Sequence, residues 1–299
     1  MNRRPAATLV EVLVAIFIMG IGLLAILALF PLGAIRMFEA IQADRAAQLA
    51  QSATALAQAF DLRNDTTVTG PSLAPGGAAN VPPAAVAGGP GYPVYIDAFG
   101  WVNSGAGAAP AWVGDNGTPG IRRVAPANAN TTSTAVKWFA LLDDIQFDAT
   151  GVPPATGLDR ATNLTYALMY RRPLKESNVA ELAVVVYHRR PLSAAASEPE
   201  YPATFTPANN TILIDATGRA IPKITPGTWV LDATVFTAPN PTANSYFYRI
   251  ASVNQPAPNL YEVEVGTPLR GWGTAGGNGR LIIMDNVVEV FEKGTGWAP

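Results

Sequence analysis

The stretch from Leu9 to Ile35, LVEVLVAIFIMGIGLLAILALFPLGAI, decides the architecture of this chain of 299 residues. Nearly all of its residues are apolar, and its one charged residue is Glu11. A helix needs about 20 apolar residues to span a bilayer, whereas the apolar region of a secretory signal has about 7–15. The stretch therefore predicts a membrane-spanning helix and does not fit an ordinary signal peptide.

The charges on either side of this stretch indicate its direction. Arg3 and Arg4 precede it, and no comparable basic cluster follows at once. Basic residues next to a membrane span are enriched on the cytoplasmic side. We therefore expect a single-pass protein with a cytoplasmic N-terminus and with everything after Arg36 outside the membrane.

The helical pattern continues beyond the apolar stretch. Apolar residues recur at helical spacing at Leu49, Ala53, Leu56 and Phe60. One helix from Thr8 to Phe60 would measure roughly 80 Å at about 1.5 Å per residue, which is much more than the thickness of a bilayer. We predict that its outer half packs on the domain that follows, and that it ends at the short polar side chains of Asp61, Asn64 and Asp65.

The segment Ala6-Ala7-Thr8-Leu9-Val10-Glu11, with Arg3 and Arg4 before it, resembles the prepilin cleavage and methylation motif of type IV pilins and type II secretion pseudopilins. That motif is a short basic leader ending in Gly or Ala, usually followed by Phe-Thr-Leu, an apolar residue and Glu. The resemblance implies that Ala6 ends the leader and that a prepilin peptidase cuts before Ala7, which is then N-methylated. It is strongest to minor pilins of the type IV pilus modification kind and to minor pseudopilins.

Glu11 has two physical interpretations. A carboxylate in hydrocarbon costs about 2.5–3.5 kcal/mol on insertion scales unless a partner compensates it. If cleavage exposes the α-amine of Ala7, that cation can pair with Glu11 of the same or an adjacent subunit and favour one axial register during assembly, a role that the resemblance also implies. The alternative is that Glu11 lies near the cytoplasmic interface and reaches into the headgroups.

Pro31 and Gly33 interrupt the apolar pattern without indicating a site. A proline inside a helix removes one backbone hydrogen bond and clashes with the preceding turn. We expect a kink or local unwinding there.

The rest of the chain predicts an exported domain made mainly of β-strands. It has 27 Gly, 26 Pro and no Cys, and charged residues are 14% of the chain, a composition that indicates many turns and excludes disulfides. Residues 61–135 are predicted to be loop-rich apart from a strand at Tyr92–Val102, and a short helix is predicted at Val136–Ile145. Further strands are predicted at Leu164–Arg171, Glu181–Arg189, Thr211–Asp215, Thr228–Ala233, Tyr246–Val253, Leu260–Val265 and Leu281–Phe291. The alternation within these strands favours an antiparallel sheet, strongly twisted or partly closed.

No residue pattern selects a catalytic site, a cofactor or a metal. His188 is the only histidine, and its position beside two arginines at the end of a strand favours a surface role over a catalytic one. Three acidic residues could offer oxygen ligands for calcium, but solvated carboxylates explain them better; they are Asp143, Asp144 and Asp148. Four loop tryptophans could bind sugar or a neighbouring subunit, or could cover the core; they are Trp101, Trp112, Trp272 and Trp297.

The predicted fold class is α+β, with a long N-terminal transmembrane and amphipathic helix followed by a mainly antiparallel β domain. The predicted divisions are a leader at 1–6, the helix at 7–60, the loop-rich segment at 61–135 and the β-rich extracytoplasmic domain at 136–299. The favoured function is a structural or assembly subunit, a minor pilin or pseudopilin anchored in a bacterial inner membrane.

The predicted partners are other pilin subunits, contacted through the N-terminal helix, the prepilin peptidase and the inner membrane. Nucleic acid is not expected outside a DNA-uptake pilus, because the net charge is −2 and basic residues are scattered. The alternatives are a signal-anchored extracytoplasmic hydrolase, which would have a polar pocket with perturbed ionisable groups, and a surface ligand-binding module, which would have an exposed aromatic or basic patch.

Overall fold

The computed structural model describes residues 9–62, 93–97, 113–114, 121–124, 139, 164–171, 181–190, 198–236, 242–273 and 276–294. Within them, one helix, α1 (Leu9–Ala59), precedes thirteen strands. The strands are β1 (Val94–Ile96), β2 (Arg122–Val124), β3 (Leu164–Arg171), β4 (Glu181–His188), β5 (Glu200–Thr206), β6 (Thr211–Asp215), β7 (Trp229–Asp232), β8 (Val235–Phe236), β9 (Thr242–Ala243), β10 (Phe247–Ala257), β11 (Leu260–Val265), β12 (Gly277–Met284) and β13 (Val287–Gly294). The chain divides into two compact units, Met1–Ala47 and Gln48–Pro299.

Helix α1 runs for 51 residues and confirms the predicted long helix. It stays helical through Pro31 and Gly33, so no unwound turn occurs there. It ends where Asp61 adopts a left-handed backbone, with φ of 45°. The amide of Leu62 donates to the carbonyl of Ala57 at 3.1 Å, and that of Asp61 donates to Gln58 at 3.0 Å. This pattern is a Schellman motif, in which aspartate replaces the usual glycine and satisfies carbonyls that the helix end would leave open.

The last turns of α1 form a buried stripe within the second unit. Its members have at most 1% of their surface exposed and are Leu49, Ala50, Ala53 and Ala57. Leu62, just beyond the end of α1, is 3% exposed. The prediction that this part of the helix packs on the following domain is therefore confirmed for these residues. The predicted stripe also included Phe60, which is wrong, because the chain turns at that residue and leaves it 45% exposed.

A five-stranded sheet has the order β13-β4-β3-β1-β2. Its neighbours are antiparallel except for β1 and β2, which pair in parallel. Strand β3 is buried along its whole length, and β4 is buried along all but its two ends. Both faces of these two strands are therefore covered, which explains why their sequences are nearly continuous apolar runs.

Six further strands form a closed antiparallel barrel in the order β10-β11-β6-β5-β12-β7. Alternate residues of every strand point into one core, as Tyr201, Ala203 and Phe205 do on β5. Closure removes the unpaired edges that an open sheet would expose. The predicted twisted or partly closed sheet is thus divided into a complete barrel and a separate sheet.

The barrel and the five-stranded sheet share a second core. On β12, Leu281 and Ile283 point into the barrel, while Ile282 and Met284 pack with residues of the other sheet. The same division holds on β7 for Val230 and its neighbour Leu231. These strands are buried on both faces because they form the wall between the two cores.

The strand prediction missed the short strands β2, β8 and β9, and two further errors concern the barrel. Leu281–Phe291 is not one strand, because the chain turns at Asp285 and at Asn286, whose φ is 63°, and passes from the barrel into the other sheet. Strand β5 was missed because Pro202 disfavours a central strand. The proline is tolerated because pairing with β6 begins one residue later, at Ala203. The predicted helix at Val136–Ile145 lies outside the described residues except for Phe139.

A methyl group at Gly279 should destabilise the barrel. A Cβ there would lie 2.1 Å from Thr234 Oγ1, which accepts a hydrogen bond from the Arg280 amide at 2.9 Å. We expect Gly279→Ala to lower the free energy of unfolding of the detergent-solubilised chain by about 1–3 kcal/mol, as overpacking does. Gly266→Ala is the control, because no atom lies within 4 Å of its added Cβ. Equal effects of the two changes in urea titrations would contradict this packing.

Candidate functional site

The N-terminal turn of α1 places Glu11 in an apolar surface. Glu11 lies in the first turn of the helix, where a negative charge interacts favourably with the helix dipole. Its apolar neighbours are exposed, with Val10 at 67% and Leu13 at 62%. The predicted processing residues Ala6 and Ala7 lie outside the described residues.

The same helix satisfies the length and composition of a membrane span. Its most apolar window has a mean hydropathy of 3.0, and none of that window is buried in protein. From Val12 to Ile35 it has no charged residue. At about 1.5 Å per residue this segment is about 36 Å long, enough for a hydrocarbon core of about 30 Å. An apolar helix of this length with an unburied surface fits membrane anchoring.

A buried charge ring lies in the second unit and was not predicted. It consists of Asp97 after β1, Arg123 on β2, Arg190 after β4 and Glu198 before β5. Each arginine contacts both carboxylates: Arg190 lies 2.7 Å from Glu198 and 3.0 Å from Asp97, and Arg123 hydrogen-bonds Glu198 and lies 3.6 Å from Asp97. No side chain of the ring is more than 7% exposed.

Two tyrosines line the buried charge ring. The guanidinium of Arg190 lies 4.0 Å from the centre of the Tyr187 ring, and the hydroxyl groups of Tyr187 and Tyr95 share a hydrogen bond. Burial raises the pKa of both tyrosines, so both hydroxyls stay protonated at neutral pH. Two positive and two negative charges balance within the ring. The ring therefore has a structural role: its ion pairs connect the five-stranded sheet to the start of the barrel.

Asp232 forms the second buried polar cluster, at the end of β7. Its carboxylate accepts hydrogen bonds from the Thr234 amide at 3.0 Å, the Asn244 side chain at 3.0 Å and Trp272 Nε1 at 2.8 Å. Burial raises the pKa of Asp232 to about 6, although these hydrogen bonds oppose the shift. The Trp272 ring stacks on Phe205, with ring centres 4.4 Å apart. Among the candidate tryptophans, Trp272 therefore packs on the barrel.

The other candidate residues do not assemble into a site in the part of the chain that the structure describes. His188 ends β4, half-buried, and its amide donates to the Asn286 carbonyl at 2.8 Å. Among the described residues, no group of three or more His, Asp or Glu could hold a metal ion. The remaining candidates lie outside the described residues; they are Asp143, Asp144, Asp148, Trp101, Trp112 and Trp297.

The described geometry defines a class of protein: a single apolar anchor helix with an acidic first turn, followed by a mainly antiparallel β domain. Residues 1–27 match a family model described as the prokaryotic N-terminal methylation motif. The chain therefore carries the type IV prepilin-like signature, which supports a type IV pilin-like or pseudopilin protein; proteins of this kind are generally structural. No curated protein and no solved structure matches the chain.

Breaking the buried charge ring should destabilise the β domain strongly. Arg190→Met would leave two carboxylates facing one guanidinium, and removal of one partner from a buried ion pair costs about 3–5 kcal/mol. The adjacent Arg189 is exposed, so Arg189→Met should change the free energy of unfolding by less than about 0.5 kcal/mol. Urea titrations of the two variants make the comparison. If Arg190→Met lowered the free energy of unfolding by less than about 1 kcal/mol, as is typical of exposed pairs, the structural role of the ring would be refuted.

Asp232 should make the β domain less stable as pH rises through its titration range. Its pKa of about 6 when folded exceeds the value of about 4 of an unfolded aspartate, so between these values the folded chain binds more protons. The free energy of unfolding should therefore fall by about 3 kcal/mol across this window and stay level above it.

The test is the difference in unfolding free energy between wild type and Asp232→Asn from pH 4 to pH 8. This difference removes the titration of all other groups. Asp215→Asn is the control, because hydrogen bonds from Thr217 lower the pKa of Asp215. Its contribution to stability therefore changes below about pH 4, and its difference profile should stay level from pH 4 to pH 8. A flat difference profile for Asp232→Asn would contradict the raised pKa.

Proposed function

We propose that the chain is a minor pilin or pseudopilin, a structural or assembly subunit of a type IV pilus or a type II secretion pseudopilus. One coincidence supports this most: the methylation motif at residues 1–27 overlaps a helix whose only charge from Leu9 to Ile35 is Glu11. A plain membrane tether has no use for a carboxylate at that position. A subunit that must align axially with its neighbours does have a use for this carboxylate.

In this proposal residues 1–6 are a leader, and a prepilin peptidase cuts between Ala6 and Ala7. The new α-amine of Ala7 is N-methylated and stays cationic. It is four residues before Glu11, which is about one helical turn. Pairing with Glu11 of the same or an adjacent subunit would offset the cost of about 2.5–3.5 kcal/mol for a carboxylate in hydrocarbon.

The proposed position is a single pass through the bacterial inner membrane, with the basic leader in the cytoplasm. Arg3 and Arg4 support this orientation through the positive-inside bias. The β domain then lies outside, and the partners in the membrane are other pilin subunits that pack along α1. The exposed apolar side chains of α1, such as Phe17 and Phe30, offer the surface for that packing.

The test of this proposal is peptidase-dependent processing. We expect the chain expressed with its native prepilin peptidase to lose Met1–Ala6 and to carry a methyl group on Ala7, as measured by intact-mass and N-terminal peptide mass spectrometry. Without the peptidase it should keep its full mass. A chain that stays uncut with the peptidase present, or that is cut after the apolar helix, rules out the pilin role.

Glu11→Gln separates assembly from processing in the same experiment. The neutral side chain removes the charged partner of the Ala7 α-amine. We therefore expect the variant to be processed, but its amount in sheared filaments to fall several-fold. Glu39→Gln is the matched control, because Glu39 is an exposed carboxylate that pairs with Arg36 at 3.0 Å beyond the apolar segment. Equal incorporation of both variants would contradict the proposed role of Glu11.

A further inference from the structure

A cleft opens on the second unit between β7, β10 and β13. It has a volume of about 120 Å³ and is lined by Trp229, Tyr246, Phe247, Tyr248, Arg249, Gly266, Thr267, Arg270, Val290 and Glu292. Enclosed sites for small molecules usually hold about 300–1,000 Å³. The cleft is therefore the size of a site that receives one ring-sized group of a larger ligand.

The floor of the cleft is aromatic. Trp229 is partly buried and packs on the shared core, and its Nε1 is buried, so the accessible part of the indole is carbon. Tyr246 forms a wall that the buried Arg171 holds in place, with the guanidinium 4.2 Å from the ring centre. Such a floor suits a ligand with a flat apolar face.

The rim of the cleft is polar and exposed. The side chains of Arg249 and Arg270 are each 56% exposed. Arg249 lies 6.0 Å from the centre of the Trp229 ring, and Arg270 lies 5.8 Å from that of Tyr246. With the hydroxyl of Thr267 and the carboxylate of Glu292, they place donors and acceptors around the aromatic floor. A ligand that fits must combine an apolar face with hydrogen-bonding groups at its edge.

The charges around the cleft balance. Arg249 faces Glu289 at 3.7 Å, Arg270 faces Glu292 at 3.4 Å, and Arg171 contacts Glu292 at 3.2 Å and Glu181 at 2.5 Å. Three guanidinium groups thus meet three carboxylates. A polyanion such as DNA or an acidic polysaccharide gains affinity by meeting an excess of positive charge, and the described residues around this cleft offer none.

We propose that the cleft binds one sugar ring of a neutral glycan, with the ring stacked on Trp229 and its hydroxyl groups bonded to Arg249, Arg270 and Glu292. Sugar rings have an apolar face and a hydroxyl edge, the two features that the floor and the rim demand. The site is independent of the processing and assembly of the N-terminal helix. The proposed function bears on this site only by placing the β domain outside the membrane, where the glycan would be found.

The test uses the full chain in nanodiscs, which avoids sugar-containing detergents, on an array of neutral and acidic oligosaccharides. We expect binding to neutral members, followed by calorimetry with the best of them. Arg270→Met should weaken that binding about tenfold, since a hydrogen bond to a charged group is worth about 1.5–3 kcal/mol. Raising the salt from about 0.05 M to about 0.5 M should change the affinity less than about twofold, because the ligand carries no charge to screen.

Two variants complete the comparison. Trp229→Leu should weaken neutral-glycan binding about tenfold by removing the stacking surface. Arg189→Met, an exposed arginine outside the cleft, should leave it unchanged. Because Arg270 is exposed, Arg270→Met should fold normally. The test therefore remains decisive even if Trp229→Leu fails to fold. The proposal fails if no neutral oligosaccharide binds, if acidic ones are preferred and are released by salt, or if Arg270→Met binds as wild type does.

Discussion

The double burial of strands β7 and β12 is the constraint on which the β domain depends. Each strand must place one set of side chains in the barrel and the other set against the five-stranded sheet. Apolar residues therefore occupy consecutive positions, as in Leu281–Met284, where a strand exposed on one face would alternate. Strand β11 shows that contrast, because its Val263 and Val265 are buried while Glu264 between them is exposed. The wall strands hold both layers together without any disulfide.

Burying a wall on both faces leaves polar groups that must find partners inside the protein. The two buried clusters meet this requirement in different ways. The charge ring draws its residues from three separate parts of the chain, at 97, 123 and 190–198. An arrangement that kept these charges buried but apart would leave them unpaired, at a cost of several kcal/mol per ion. Asp232 instead accepts hydrogen bonds from three neutral donors, which offset only part of the cost of burying its charge. The ring thus holds the segments in one arrangement, while Asp232 makes stability depend on pH.

The features that could be predicted from the sequence are those whose signal is local. The apolar stretch with Glu11 lies in one segment, and the strands β3, β6 and β11 have the predicted bounds because alternation or continuous β-branched and aromatic residues mark them. The turn at Asp285 and Asn286 was missed because apolar residues flank it on both sides. The charge ring and the cleft were missed because their residues come from separate elements, and no spacing along the chain indicates that they meet.

The same difference between local and distributed features separates anchoring from recognition. In the proposed function the anchor helix must be apolar over a fixed length and must carry Glu11 at a fixed distance from its start. This requirement constrains the sequence narrowly, and residues 1–27 match a motif. The β domain must only fill two cores and satisfy its buried polar groups. The rim arginines Arg249 and Arg270 belong to neither task, since exposed ion pairs contribute about 0–1 kcal/mol to folding. Folding therefore does not constrain the rim residues. They can be suited to a bound ligand without any change in the two cores.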